Sequence, residues 1–226
     1  MFLSNLRKSF IASTLLLIGC SACWIWQKNE NKPVPLINEE KSGTPFSTKE
    51  PEIFQCEVVT TTGDSSTSYF FARKQGKWRY DLRYGEADQV SEVLDDKDYL
   101  ISYGNKTYAE VSPDNNKEVE NSSLEEFTSG LLNQGHSTGF QEIGRENNLV
   151  RYHARINDSD TSEVVITFDP IIGLPVKQEF YSIAGEKKTL AFTVELRNFT
   201  PDVDDSVFAV PAGFKKVSVD EFRKAS

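Results

Sequence analysis

From residue 53 onward, apolar and polar residues alternate in short runs separated by turn-forming residues. In FARKQGKWRYDLRY, residues 71–84, the bulky side chains Trp78, Tyr80, Leu82 and Tyr84 alternate with Arg79, Asp81 and Arg83. Successive side chains of an extended strand point to opposite faces, so this run predicts a strand with one apolar face and one charged face. The same period of two recurs in Phe54-Cys56-Val58, Tyr69-Phe71, Val90-Leu94, Tyr99-Ile101-Tyr103, Val164-Ile166-Phe168, around Phe180, and in Leu190-Phe192-Val194-Leu196. Strands are predicted over 53–62, 66–74, 77–84, 89–94, 98–103, 106–111, 138–143, 149–156, 162–169, 174–183 and 188–199. Gln75-Gly76, Gly104-Asn105, Asn147-Asn148, Pro170 to Gly173 and Ala184-Gly185 supply turns between them. Eleven or so short strands joined by tight turns make an antiparallel meander, and no strand–helix–strand spacing interrupts it.

Two helical signals stand apart from this pattern. Ser123 with Glu126 forms a capping box ahead of a stretch in which Leu124, Phe127, Leu131 and Leu132 share one face, and Ser218 with Glu221 repeats it ahead of Phe222. Helices this short do not stand alone in water and have to pack on something apolar. A broad sheet that is apolar on one side cannot stay flat and exposed either. The pattern predicts a curved sheet that closes on itself or on a lid. One short helix covers a few hundred Å² at most, which leaves two outcomes: a sheet packed on itself, or an apolar hollow that something else fills.

Composition agrees with strands: aromatic residues make up 12% of the chain against a single Met. The formal net charge is −9, and the basic residues are scattered among a larger number of acids, which is unsuited to a phosphate-binding surface. Nucleic acid is not expected as a partner.

The beginning of the chain reads as an export signal: the basic pair Arg7-Lys8, an apolar run from Phe10 to Ile18, then small residues. Leu17-Ile18-Gly19-Cys20 resembles the bacterial lipoprotein signal, which implies lipidation of Cys20. The apolar stretch also continues through Trp26, long enough for an uncleaved anchor, and both readings stay open. Residues 27–51 are polar, carry Pro33, Pro35, Pro45 and Pro51, and lack periodicity, as a linker does. The expected organisation is a signal at 1–19, a lipidated tether at 20–51 and a folded domain at 52–226, exported to the cell envelope and held at a membrane, facing the periplasm or the exterior.

Candidate chemistry is sparse. His136 and His153 lie apart, and no nucleophile elbow, zinc-protease helix or Cys–His spacing accompanies them. Asp95, Asp96 and Asp98, like Asp202, Asp204 and Asp205, fall at turns, where aspartate bonds its own backbone, and neither set has the form of a calcium loop. Cys56 reads as a small buried apolar residue, with a disulfide to Cys23 as the alternative. No catalytic residue, metal or cofactor is expected.

Three segments carry a family resemblance. FFARKQGKWRYDL resembles a hairpin in which a basic residue ends one strand and an aromatic strand follows. VLDDKDYLISYGNKTYAEV resembles the paired tyrosine-bearing strands after it, and DDSVFAVPAGFKKVSVDEF, residues 204–222, the closing segment with Phe208, Pro211 and Gly213. Together they resemble the LolA/LolB-like outer-membrane lipoprotein localisation family. The resemblance implies a half-open β-barrel around a helical lid, with a concave side that accepts acyl chains. On that reading Phe71, Trp78, Tyr80, Leu82, Tyr99, Ile101, Tyr103 and Phe168 line the cavity, Leu124, Phe127, Leu131 and Leu132 belong to the lid, and Arg73 and Lys74 are the basic residues that latch it. The implied partners are lipid acyl chains or a lipidated protein, or, in an alternative sensor or interaction role, an envelope protein. Gln75 stands where the family has a proline, and a tether replaces a free N-terminus.

Overall fold

The computed structural model describes residues 45–46, 50–111, 137–156 and 161–225. All of them belong to the second of two compact units, which begins at Lys41. Cys20, Cys23, His136 and the stretch 112–136 with Leu124, Phe127, Leu131 and Leu132 lie outside the described residues.

Twelve strands form one sheet: β1 (Phe54–Thr62), β2 (Ser65–Lys74), β3 (Lys77–Leu82), β4 (Val90–Leu94), β5 (Asp98–Ser102), β6 (Thr107–Val111), β7 (Ser137–Glu146), β8 (Leu149–Ile156), β9 (Ser162–Asp169), β10 (Leu174–Ala184), β11 (Lys187–Thr200) and β12 (Lys215–Lys216). Their order across the sheet is β12-β6-β5-β4-β3-β2-β1-β11-β10-β9-β8-β7. The sheet is curved and does not close, as a half-open barrel, and it is the mainly β fold that the alternation predicts. Tight hairpins do most of the connecting. Gln75 and Gly76 take φ of 51° and 84°, and Asn147 and Asn148 take 49° and 67°. Two successive left-handed residues match the natural twist of a two-residue hairpin, which is why these dipeptides turn the chain.

After β11 the chain runs back as a strap. A 3-10 turn at Asp205–Phe208 is capped by Asp204, whose side chain accepts a bond from the Ser206 amide. β12 then pairs in parallel with β6, and α1 (Val219–Ala225) follows. The second capping box forms as its sequence predicts: the Glu221 amide donates to Ser218 Oγ at 3.2 Å, and the Ser218 amide donates to Glu221 Oε2 at 3.0 Å.

The sheet has two packed faces rather than one. The inner face carries Phe54, Cys56, Val58, Tyr69, Phe71, Ala154, Val164, Ile166, Phe180, Phe192 and Val194 in one buried cluster. The outer face carries a second cluster, Ala72, Val93 and Ile101, covered by Val203 and Phe208 of the strap. Register explains the division, because Phe70 pairs with Asp81 and Ala72 with Arg79 on β3, and both pairs fall on the outer side.

The charged side of β3 is therefore buried, not solvated. Asp81 is fully buried and the Arg79 side chain nearly so. Arg79 donates to both Asp81 oxygens, Nε to Oδ1 at 2.7 Å and Nη2 to Oδ2 at 2.9 Å, to the Tyr103 hydroxyl at 2.7 Å and to the Val207 carbonyl of the strap at 2.8 Å. Gln89 Nε2 donates to Asp81 Oδ2 at 3.0 Å. Burial lifts the Asp81 carboxyl above the usual range while the guanidinium pulls it back. Burial also opposes the Arg79 charge, and Asp81 more than restores it. Breaking such a pair on one side leaves a buried charge uncompensated, so the network fixes the strap in place.

Candidate functional site

The inner face is the surface on which the expected cavity residues can be judged. Phe71 and Phe168 are buried there, with Tyr80 and Leu82 packed half-buried against the same cluster. Trp78 shares their side of β3 by alternation and is half-buried. Val90 and Leu94 continue the strip on β4, where they pair with Leu82 and Trp78 and are also half-buried.

Tyr99, Ile101 and Tyr103 do not join them. Ile101 pairs with Ser91 and Tyr108, and Tyr99 with Val93, all on the outer side, where these three residues belong to the strap-covered cluster. Tyr103 accepts a bond from Arg79 at its hydroxyl and packs edge-on to Phe214, with ring centroids 5.3 Å apart. The Tyr99 hydroxyl donates to Asp96 Oδ1 at 2.9 Å, and burial together with that carboxylate pushes its pKa up to about 12. The expected lining set thus divides between two faces. Tyr84 also leaves the alternation: Arg83 takes φ of 55°, the strand ends at Leu82, and Tyr84 stacks on outer-face Phe70 at 5.0 Å.

The two basic residues named as latches each hold a segment, and the two segments differ. Lys74, pointing to the outer side, donates to the Val203 carbonyl at 2.7 Å and pairs with Asp205 at 2.9 Å, so it pins the strap. Arg73, one residue earlier and on the inner side, reaches Glu50 at 3.0 Å, in the stretch whose composition reads as linker. Phe46, from the same stretch, packs on the inner cluster against three rings: Phe168 at 5.0 Å and nearly parallel, Tyr152 at 5.3 Å, and Phe140 at 6.1 Å, edge-on. Contacts with the sheet thus begin ahead of residue 52. Aromatic pairs at these separations each contribute about 0.5–1.5 kcal/mol beyond the area they bury.

Two further groups of potential reactivity lie among the described residues, Cys56 and His153. Cys56 is unpaired and buried, and burial, with Glu50 nearby, pushes its thiol far up, away from the reactive thiolate. His153 Nε2 lies 3.2 Å from Glu163 Oε2 on the outer face, where Lys188 reaches the same oxygen at 2.6 Å, and Lys188 above all holds that carboxyl below its usual range. Among the described residues no group of three or more His, Cys, Asp or Glu side chains could hold a metal ion. A separate open depression of about 460 Å³ lies between two hairpin turns and is lined by Arg145, Glu146, Asn147, Asn148, Pro170 and Ile171.

Phe46 and the strap escape sequence reasoning. A lone phenylalanine among prolines has no period to announce it. The strap does leave a signal, since β5 is apolar on both sides, with Leu100 on one and Tyr99 and Ile101 on the other, and a strand of that kind has to be covered twice.

No family model matches this chain. No curated protein matches it either. Among solved structures, the Pseudomonas aeruginosa MucA/MucB complex contains a chain that is 15% identical at a TM-score of 0.44, over 74% of this chain and 58% of that one. An outer membrane lipoprotein-sorting domain from Vibrio parahaemolyticus is 13% identical at a TM-score of 0.28, over 71% of this chain and 91% of that one. An uncharacterised conserved protein from Thermus thermophilus is 10% identical at 0.41, over 73% and 89%. This chain thus spans less than two thirds of the length of the chain it matches in that complex. With every one of these superpositions below a TM-score of 0.5, the fold is defined by its own strand order.

Proposed function

We propose that this protein is a membrane-tethered binding protein of the cell envelope that accommodates acyl chains, of a lipid or of a lipidated protein, on the inner face of its half-barrel without covalent chemistry. The observation that carries this reading is the half-buried strip of Trp78, Tyr80 and Leu82, with Val90 and Leu94, that extends the buried inner cluster across β3 and β4. A contiguous apolar surface of this kind binds by removing hydrocarbon from water. At about 0.8 kcal/mol per methylene, a sixteen-carbon chain supplies on the order of 10 kcal/mol before the costs of association. The buried, unreactive Cys56 and the ion-paired surroundings of His153 support binding over catalysis.

The test is native mass spectrometry of residues 41–226, released by a protease site placed before Lys41 after the full chain has folded. Acyl lipid carried from the membrane, or taken up from added hexadecanoate, is the expected result. A preparation that carries none and takes up none, before or after delipidation, ends the acyl-binding reading. An envelope partner pulled down equally well with and without lipid would instead favour the sensor or interaction role.

A further inference from the structure

Phe46 lies outside the sheet, ahead of β1, yet its ring rests on Phe168, Tyr152 and Phe140, which come from β9, β8 and β7. Those three strands pair through their own ladders and need nothing from residue 46 to complete them. A ring delivered by a neighbouring segment into a socket built by the sheet has the geometry of an occupant. Arg73 and Glu50 hold the same segment a few residues further on.

We propose that the socket of Phe140, Tyr152 and Phe168 is a subsite for the apolar guest, filled by the chain's own Phe46 in the unloaded protein, so that guest and tether compete for it. The inference rests on the acyl-binding reading above and adds regulation to it. The path from Phe46 to Glu50 spans at most about 14 Å, so the ion pair to Arg73 keeps the ring close to the socket even when it has left. Such a tethered ring rebinds at high effective concentration, and a modest aromatic contact can then hold a subsite against a free ligand. The guest binds in proportion to the fraction of molecules whose socket is open. Loading frees the segment ahead of β1, which loosens the join between the sheet and the tether. Occupancy of the inner face is thereby communicated to the N-terminal side of the domain without any movement of the sheet.

The test compares wild type, Phe46→Ala, Phe46→Trp and Arg73→Ala, each folded as the full chain and then cut before Lys41, using binding of a fluorescent hexadecanoic acid. A socket blocked about nine-tenths of the time predicts that Phe46→Ala binds roughly tenfold more tightly than wild type, with Arg73→Ala in between. In Phe46→Trp, whose ring can still dock, with Trp78→Phe added so that the introduced tryptophan is the one present in residues 41–226, emission shifts to the red as unlabelled hexadecanoate is added. If wild type binds the probe but Phe46→Ala binds it equally or more weakly, and the emission of the introduced tryptophan stays unmoved, the competition is refuted and the acyl-binding reading stands. If no variant binds the probe, both fall together.

Discussion

The two faces of the sheet are covered in different ways. On the outer side the strap lies along β2–β6 and is fixed by polar bonds to its own backbone: Arg79 to the Val207 carbonyl, Lys74 to the Val203 carbonyl, and β12 to β6. On the inner side, among the described residues, the cover contributed from outside the strands is slight: Phe46, Ile172 from the turn after β9, and the ion pair Glu50–Arg73. Directional bonds to backbone carbonyls, reinforced by a buried charge, make a closure matched to this one segment, which another molecule cannot readily take over. Dispersion against an aromatic socket makes one that any apolar molecule of the right size can replace. Two neighbouring residues, Arg73 and Lys74, attach to opposite sides and so belong to both closures.

Substitutions can break this contrast, beginning with the outer side. Arg79→Met removes the guanidinium and leaves Asp81 buried without its partner, a loss of about 3–5 kcal/mol in denaturant unfolding, with the double variant Arg79→Met/Asp81→Leu recovering most of it. A single variant that unfolds like wild type would show that the strap is not held there. Lys74→Ala forfeits a charged hydrogen bond and an ion pair to the strap, about 1–2 kcal/mol, read out as faster proteolytic loss of residues 201–225 with the rest of the sheet protected. On the inner side the expectation reverses. Trp78→Ala, at a half-buried position, changes stability by about 1 kcal/mol or less while weakening acyl-probe binding about tenfold, and an equal loss of both quantities would erase the distinction.

The smallest effect is set by pH. Asp205 is held below the ordinary carboxylate range by Lys74, Asp204 by its bonds to Ser206, Glu221 by its bonds to Ser218, and Glu110 by Lys216 and then Lys97. These four belong to the strap or to the strand it pairs with; Glu142, Glu163 and Glu195, lowered by Arg145, Lys188 and Arg197, sit on β7, β9 and β11, strands that their main-chain ladders hold independently of those ion pairs. A carboxylate with a lowered folded pKa contributes stability that is complete above its unfolded pKa and is lost as pH falls through the folded value. The strap therefore loosens below about pH 4, the ordinary carboxylate range, where pepsin is active and should cut 201–225 before the remaining strands. Uniform cleavage along the chain would contradict a local acid weakness.

The strands and hairpins are legible because each is a local fact: a period of two, bounded by dipeptides such as Gln75-Gly76 and Asn147-Asn148 that favour left-handed backbone. What stays hidden in the sequence is long-range. Alternation shows that Arg79 and Trp78 point oppositely but not which side meets water, and the strap that buries Arg79 arrives more than a hundred residues later. β12 has two residues and a parallel partner, too short for any period to reveal. Leu190 falls in phase with Phe192 in the sequence, but a bulge between Phe180 and Tyr181 shifts the register, so Leu190 pairs with Tyr181 and stays largely exposed. On the inner face, the shared side of Trp78, Tyr80 and Leu82 follows from parity, as does that of Val164, Ile166 and Phe168, whereas the place of Phe46 does not, since it belongs to no strand.

The two rims of the sheet end differently. One finishes in β12, the other in β7, whose pairing with β8 slips register twice, between Thr138 and Gln141 and between Glu142 and Gly144. A border that kinks twice within ten residues offers no straight row of amides for another molecule's border to zip onto. At the β7 rim the sheet thereby carries its own obstacle to edge-to-edge growth, a safeguard that an unclosed barrel needs and a closed one does not.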